Sequence, residues 1–420
     1  MSLRTQIKKK TWLALGLLGW AAAPPLHAEP LTLERCLALG RSQSLAARQA
    51  ALGVQQARAG LQASQAARLP QVSAATLLDQ SDNSATQLEG SNKAVARVEQ
   101  GLDLRGVDAS LSAQKKADLE AAQADQAQAQ AEAAYSAAHF YLEALRSQDL
   151  LQFLLAQEEK LKLLEAAIPP SYSPGGAALF DRAKVRSAEA DLARQRSELE
   201  AGLSASRRSL ARALGQEALE PLAPLDSTPS VESLPESPPS MAPAILAAAA
   251  RSRSATEALK GLERSRWPSL KTAAEGGYSG ATVDGMQAGW DLTLEAQVPL
   301  FDWGLHGAAA DSARQDLSLA QLHLDQQKQD SQDSYGVARR SVLDFFEDWR
   351  RQKDLLPMTM AAAQAAVKRY QKGVAGIVET SDALGLWVQT YSNERLAYYS
   401  CQDALVHLQA QYFQPSQAAP

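Results

Sequence analysis

The sequence has few of the features that mark enzymes or nucleic-acid-binding proteins. Of its 420 residues only two are cysteines and only 6% are aromatic, while the net charge is −5. Without a domain-scale basic patch, a nucleic-acid partner is not expected. Two cysteines cannot form a metal site alone, and no HExxH or GxSxG motif is present. We therefore predict no catalytic residue, no bound metal and no cofactor, and a protein that is not an enzyme.

Long hydrophobic runs are missing too, apart from one near the N-terminus. No other segment reaches about 18 consecutive apolar residues, so no transmembrane helix is predicted. The N-terminus reads MSLRTQIKKK, then WLALGLLGWAAA, then a small-residue cleavage site that ends at Ala28. This pattern predicts a signal peptide over residues 1–28 and export to the periplasm. An N-terminal membrane anchor is the alternative.

The two cysteines, Cys36 and Cys401, lie near opposite ends of the exported chain. In an oxidising periplasm they could form a disulfide. Two unpaired buried thiols fit the sequence equally well.

Landmarks in the two halves of the chain recur at one offset. RLPQVS at 68–73 and RWPSL at 266–270 both follow a helical run and open a strand, with their prolines 198 residues apart. Asp181 and Glu379, each just after a glycine-containing turn, are also 198 residues apart. This spacing indicates a tandem duplication. We predict a first repeat over 29–219, a Pro-rich linker over 220–242, a second repeat over 243–414 and a short tail over 415–420.

Each predicted repeat has a helix, a strand pair and two long helices. Proline ends the first helix because its ring forbids the helical conformation to the preceding residue. The first helices are predicted at 40–67 and 243–265. The strands are predicted at 70–80, 94–104, 268–280 and 289–300. The long helices, rich in Ala, Gln and Glu, are predicted at 106–168, 177–214, 304–371 and 380–413.

The strands have one apolar and one polar face. In WDLTLEAQVPLFDWG, Trp290, Leu292 and Leu294 alternate with Asp291 and Thr293, which is the period of a strand. Strands of about ten residues match the length of transmembrane β-strands. An open four-stranded sheet cannot lie in lipid, because its edges would leave backbone groups unpaired. Three chains would pool twelve strands into one closed barrel.

Aromatic residues mark the ends of the predicted membrane span. Trp290 and Trp303 are thirteen residues apart, which corresponds to roughly 33 Å of height for a tilted strand. Together with Tyr278 they are predicted to form a membrane girdle.

A second group of residues surrounds the turn at Gly373, where a positive φ is expected. Glu379 and Asp382 are three residues apart, which places both carboxylates on one helix face. Under three-fold symmetry six carboxylates would encircle the narrow end, attract cations and resist closure. The alternative is that both are helix N-terminal acids favoured by the helix dipole.

Several segments resemble the TolC-like outer-membrane efflux proteins. LTLERCLALG (31–40) is similar to the opening helix of that family, and RLPQVS and RWPSL to its helix-to-strand proline motif. QVPLFDWG (297–304) resembles its strand-to-helix motif, and RYQKGVAGIVETSDAL (369–384) its lower helical turn. The resemblance implies a mainly α fold with a transmembrane β-barrel: a homotrimer with a twelve-stranded barrel continued by a twelve-helix periplasmic α-barrel.

The resemblance also implies a function and its residues. The protein would be a passive outer-membrane exit duct of a tripartite efflux or type I secretion system, working with a periplasmic adaptor and an inner-membrane pump. Glu379 and Asp382 match the acidic constriction of the family, and Tyr370 a tyrosine that holds the closed state, with Asp181 as acceptor. The family's arginine partner is Ala375 here. Gly175 and Gly373 would mark the turns that contact the adaptor.

Two other functions compete with the duct. A soluble periplasmic coiled-coil scaffold or adaptor protein would explain the long helices but not the alternating strands with Trp ends. An exported hydrolase would need a nucleophile–base pair, and none is evident.

Overall fold

A computed structural model describes residues 30–78, 92–166, 168 and 177–413, apart from 218, 226, 232, 233, 239, 240, 281 and 282. The predicted signal peptide and Gly175 lie outside these residues. The helices are α1 Leu33–Gln43, α2 Leu45–Ala66, α3 Val107–Ala166, α4 Ala177–Leu214, α5 Pro243–Arg264, α6 Leu305–Gln371 and α7 Ile377–Tyr412. The strands are β1 Gln71–Leu77, β2 Asn92–Leu102, β3 Ser269–Gly280 and β4 Gln287–Gln297, with a 3-10 turn at Val283–Gly285.

Most predicted element ends lie within three residues of the observed ones, and two differences have a local physical cause. The first helix is divided at Ser44, whose backbone is extended (φ −60°, ψ 149°) and whose hydroxyl accepts a hydrogen bond from Ala47 N at 3.1 Å. Ser44 therefore ends α1 and caps α2. β4 ends at Gln297 rather than near 300, because Pro299 has no N–H for the ladder.

The four strands form one antiparallel sheet in the order β1-β2-β3-β4. Val72, Val98, Ala274 and Leu292 pair across it and share a face, whereas the neighbouring row of Ser73, Arg97, Glu275 and Asp291 lies on the other. One face is thus apolar and the other charged. Within the described residues β1 and β4 each pair on one side only, so the sheet of a single chain is open at both edges.

The helices continue the order of the strands. Next to the sheet, α2 packs on α3, α3 on α5 and α5 on α6. Further away, α4 packs on α3, α3 on α7 and α7 on α6. Each level is therefore a wall of four elements whose outer members have one unpartnered side. α6 has 67 residues, which is about 100 Å of helix. None of the described helices combines the length and apolarity needed to cross a membrane.

Small residues allow the helices to pack closely. Ala137 and Ala138 of α3 are fully buried in the cluster that contains residues of α1 and of the second half of α7. A Cβ at Gly40 would lie 2.9 Å from the carbonyl oxygen of Ala133, so only glycine permits this contact between α1 and α3. A second cluster, which includes Leu154, Leu161 and Trp387, joins α3, α4, α6 and α7 further along.

The predicted Pro-rich linker packs against the helices. Leu222 forms a parallel bridge with Leu31 and is buried. Tyr141 Oη donates to the carbonyl of Ala223 at 2.7 Å, Tyr398 Oη to that of Ser227 at 2.9 Å, and Tyr335 Oη to that of Pro235 at 2.7 Å. We call the described part of 219–238 the strap. Extended backbone leaves its carbonyls free, and the three tyrosines satisfy them.

Candidate functional site

The first candidate region is the end of the helices furthest from the sheet, where α6 turns into α7. Gly373 has a φ of 71°, the positive value expected from the sequence. Its N–H donates to the Tyr370 carbonyl at 2.8 Å, and the Val374 N–H to that of Arg369 at 2.9 Å. This left-handed cap ends α6 and places the first turn of α7 beside its last turn.

Tyr370 and Asp181 meet at this end, as the sequence predicted. The Tyr370 hydroxyl lies 3.4 Å from Asp181 Oδ2, to which it donates. Burial first, and then the Asp181 charge and hydrogen bond, raise the pKa of Tyr370, so the phenol keeps its proton. Because Asp181 belongs to α4 and Tyr370 to α6, the contact connects the two helical hairpins.

Each carboxylate of the predicted ring has a cation from its own chain. Arg369 Nη1 lies 2.7 Å from Glu379 Oε1, and Lys184 Nζ lies 3.7 Å from Asp382 Oδ1. All four side chains are well exposed, so each pair is worth about 1 kcal/mol at most. The pairs nevertheless reduce the net negative charge at this end.

The sequence prediction missed Arg369 and Lys184, although a signal for each was present. Arg369 precedes the tight turn at Gly373, which brings it opposite the start of α7. Lys184 follows Asp181 by three residues and so shares its face on α4.

The contact between α4 and α7 is loosely packed. A groove of about 520 Å³ opens between the hairpins, beside the Lys184–Asp382 pair. It is lined by polar side chains such as Gln157 and Gln389 and by apolar ones such as Leu161 and Leu384. A half-filled interface is easier to separate than a fully packed one.

The second candidate region is the apolar face of the sheet. Trp290 lies on it, 84% exposed, and pairs with Gly276. Tyr278 lies on the same face two residues further along β3. Trp303 is 89% exposed and lies six residues after the end of β4, with a φ of 53°. The two tryptophans therefore mark opposite ends of the sheet, but the chain between them is only partly strand.

A polar network around the buried Glu394 joins α3, α6 and α7 part-way along their lengths. Glu394 is 2% exposed, and its Oε1 accepts from Trp349 Nε1 at 2.9 Å. Its Oε2 accepts from Arg395 Nε at 2.6 Å. Arg395 also faces Asp149 of α3 at 3.8 Å, and Tyr399 Oη donates to the same carboxylate. The network fixes α6 and α7 against α3.

Of the two alternatives for the cysteines, the structure does not contain the disulfide. Cys36 and Cys401 are free thiols, both fully buried, and they lie in different hydrophobic clusters. Burial raises the pKa of Cys36 to about 12 and that of Cys401 to about 11. The alternative of two buried thiols describes the structure.

These thiols should be inert in the folded protein. Because the thiolate is the reactive form, we expect almost no reaction with Ellman's reagent at pH 8 in native protein and two thiols per chain after denaturation. The same count should be found with and without prior reduction. A reduction-dependent count would show that a disulfide had formed.

The described chain thus has an open sheet with one apolar and one charged face, continued by walls of long helices. Residues 239–411 match the family model described as outer membrane efflux protein. No curated protein matches the chain. Among solved structures, it is similar to a membrane protein from Pseudomonas aeruginosa, with a TM-score of 0.80 and 19% identity over 90% of this chain and 89% of that one.

Two further solved structures are outer-membrane proteins. The open state of the Neisseria gonorrhoeae MtrE outer membrane channel has a TM-score of 0.80 and 18% identity, over 90% of this chain and 88% of that one. The outer membrane protein VceC of Vibrio cholerae has a TM-score of 0.74 and 16% identity, over 91% of this chain and 97% of that one.

The resemblance to TolC-like outer-membrane efflux proteins is therefore confirmed. Residues 239–411 match the model of that family, and the solved structures share the fold over nine-tenths of the chain. Such proteins are passive channels rather than enzymes.

Proposed function

We propose that this protein is the outer-membrane exit duct of a tripartite efflux or type I secretion system. Three copies close into a twelve-stranded barrel and a twelve-helix tube, which a periplasmic adaptor opens at the helical end. The energy comes from an inner-membrane pump, and the exported molecule crosses without chemical change.

The open edges of the chain are the observation that carries this proposal. β1 and β4 are unpaired on one side at the level of the sheet, and α2 and α6 are unpartnered at the same edges of the helical wall. The β4–α6 edge of one copy can therefore pair with the β1–α2 edge of the next, which is a head-to-tail contact. Such contacts close into a ring and leave no strand edge in lipid.

The two faces of the sheet fit this closure. The apolar face with Trp290 and Leu292 would contact lipid, and the charged face with Arg97, Glu275 and Asp291 would line the lumen. β4 has 11 residues, which at about 40° of tilt span about 28 Å, close to an outer-membrane apolar band of about 25 Å.

The state of assembly tests the duct. We expect the exported chain to be found in the outer-membrane fraction, to need detergent for extraction and to elute at the mass of three copies. A monomer that stays in aqueous solution after release from the periplasm would favour the scaffold or adaptor instead.

We further propose that the gate is the end of the helices around Tyr370, Asp181, Glu379 and Asp382. The Tyr370–Asp181 hydrogen bond connects the hairpins beside a loosely packed groove, so it is a contact that must break when they move apart. Adaptor contact at the Gly175 and Gly373 turns would supply the energy for that movement.

Loss of this hydrogen bond should make the channel easier to open. We expect Tyr370→Phe and Asp181→Ala to raise the mean conductance in planar bilayers, because each removes a bond worth about 1 kcal/mol per chain, or about 3 kcal/mol per trimer. Open probability should rise by one to two orders of magnitude, roughly, if the three bonds break together.

Tyr391→Phe is the matched control for the tyrosine. Tyr391 stacks on Phe153 with centroids 3.7 Å apart, and no hydroxyl partner within the described residues connects it to the other hairpin. The Tyr391→Phe variant should have the conductance of the wild type. Wild-type conductance in both Tyr370→Phe and Asp181→Ala would reject this gate while leaving the duct standing.

A further inference from the structure

Arginines occur at the junctions between helices and strands, at one end of the sheet. Arg68 precedes β1, Arg105 follows β2, and Arg264 and Arg266 precede β3. Exposed apolar side chains lie at the same junctions: Leu69, Leu104, Trp267, Leu300, Phe301 and Trp303. The junctions thus combine positive charge with exposed apolar side chains.

Two of these arginines are used to hold the junctions together. Arg105 Nη1 donates to the carbonyls of Ser265 at 3.1 Å and Trp267 at 2.9 Å. Arg264 Nη1 donates to the carbonyl of Gly106 at 3.1 Å and to Ser110 Oγ at 2.9 Å. Their guanidinium groups satisfy backbone carbonyls at the turns, which is a structural role.

Arg68 and Arg266 are different. Both side chains are exposed, and neither guanidinium has a hydrogen bond or an ion pair with another residue in the part of the chain that the structure describes. Nothing in the fold therefore requires a positive charge at either position.

Nearby acidic side chains already accept hydrogen bonds from backbone N–H groups. Asp103 accepts from Val107 N at 2.8 Å and caps α3. Asp302 accepts from His306 N at 2.9 Å and caps α6.

The two free arginines occupy the same place in each repeat. Arg68 precedes Leu69 and Pro70, and Arg266 precedes Trp267 and Pro268. The proline in each case ends the helix and starts the strand, so each arginine lies where the apolar face of the sheet begins. Its neighbour, Leu69 or Trp267, is more than 60% exposed.

We propose that Arg68 with Leu69, and Arg266 with Trp267, bind the phosphate groups of anionic phospholipids in the periplasmic leaflet of the outer membrane. The guanidinium fork matches phosphate oxygens, and the adjacent apolar side chain enters the headgroup boundary. A trimer would carry six such positions at one height. The proposal rests on the proposed duct, because it needs the sheet to be in the membrane with its helices in the periplasm. That orientation assigns the site to phospholipid rather than to lipopolysaccharide.

Lipid titration of the full-length exported protein tests the site. Detergent-solubilised protein is titrated with dioleoyl phosphatidylglycerol, and the thermal unfolding midpoint gives the apparent affinity. Removing both charges in Arg68→Gln/Arg266→Gln should weaken that affinity about 30-fold, at about fivefold per arginine. Dioleoyl phosphatidylcholine should give a smaller shift that the substitutions leave unchanged. Arg68→Lys/Arg266→Lys keeps the charges but loses the guanidinium forks, so its affinity should lie between those of the wild type and the glutamine variant. It keeps the test valid if the glutamine variant fails to fold.

Arg58→Gln/Arg350→Gln is the matched control. Both arginines are exposed and lie on α2 and α6, away from the junctions, so phosphatidylglycerol affinity should stay within about twofold of the wild type. Equal responses to the two lipids, or undiminished affinity in the glutamine variant, would overturn the proposal. So would lipopolysaccharide binding that the same substitutions abolish. A protein that enters no vesicle of any composition would instead overturn the duct itself.

Discussion

Leu292→Arg is expected to prevent assembly in the outer membrane. Leu292 lies at the middle of β4 on the apolar face and is 68% exposed in the single chain. An arginine near the bilayer midplane costs about 2–4 kcal/mol per strand, and the proposed barrel would contain three copies, for about 6–12 kcal/mol in all. That is comparable to the whole stability of a typical folded protein, about 5–15 kcal/mol. The measurement is the amount of trimer in detergent extracts of the outer membrane.

Thr293→Arg is the control for this substitution. Thr293 is the next residue of the same strand and lies on the charged face, so an arginine there would project into the proposed lumen. Its trimer yield should remain near that of the wild type. Equal yields from the two variants would show that the faces do not differ in environment, and the barrel would have to be abandoned.

Glu394→Ala is expected to destabilise the helical part of the protein strongly. It removes the acceptor of Trp349 Nε1 and the carboxylate beside Arg395. Breaking a buried pair by removing one partner costs about 3–5 kcal/mol, and the partial exposure of Arg395 places this case near about 3 kcal/mol. Guanidinium unfolding in detergent, followed by far-ultraviolet circular dichroism, gives the change.

Two further substitutions show how much of the expected loss comes from the charge of Glu394 and how much from its burial. Glu394→Gln keeps an acceptor for Trp349 and should lose only about 1–2 kcal/mol. Glu198→Ala removes an exposed carboxylate that pairs with Arg194 at 2.7 Å, and should change stability by less than about 0.5 kcal/mol. If Glu394→Ala behaves like Glu198→Ala, the network does not hold the helices together.

The helices and strands could be predicted from the sequence because their signals are local. The apolar alternation in β4, the prolines at 70 and 268 and the glycine at 373 each fix a conformation within a few residues. The division at Ser44 was missed because a serine inside a helical run and one that caps a new helix look alike until the neighbouring helices are present.

The contacts of the candidate gate were only partly predictable. Tyr370 and Asp181 were paired in advance through the family resemblance, and the structure brings them together. The spacing from Asp181 gives the face of α4 on which Lys184 lies, but its pairing with Asp382 in the other hairpin depends on how α4 packs against α7, which no local signal gives. The packing of the strap was missed for the same reason. Its prolines indicate extended backbone but not the distant tyrosine hydroxyls that bind its carbonyls.

The strap also fixes two of the long helices at one point along their length. Through Tyr141 and Tyr398 it fastens α3 and α7 at one height, where the chain's first described residues lie as well. From Tyr141 to the end of α3 at Ala166 there are 25 residues, or about 38 Å of helix. A pivot of about 10° at the strap would displace that end by about 7 Å while the sheet stayed at rest. The strap would then confine the movement to the part of the helices furthest from the sheet, so that the proposed barrel would stay at rest.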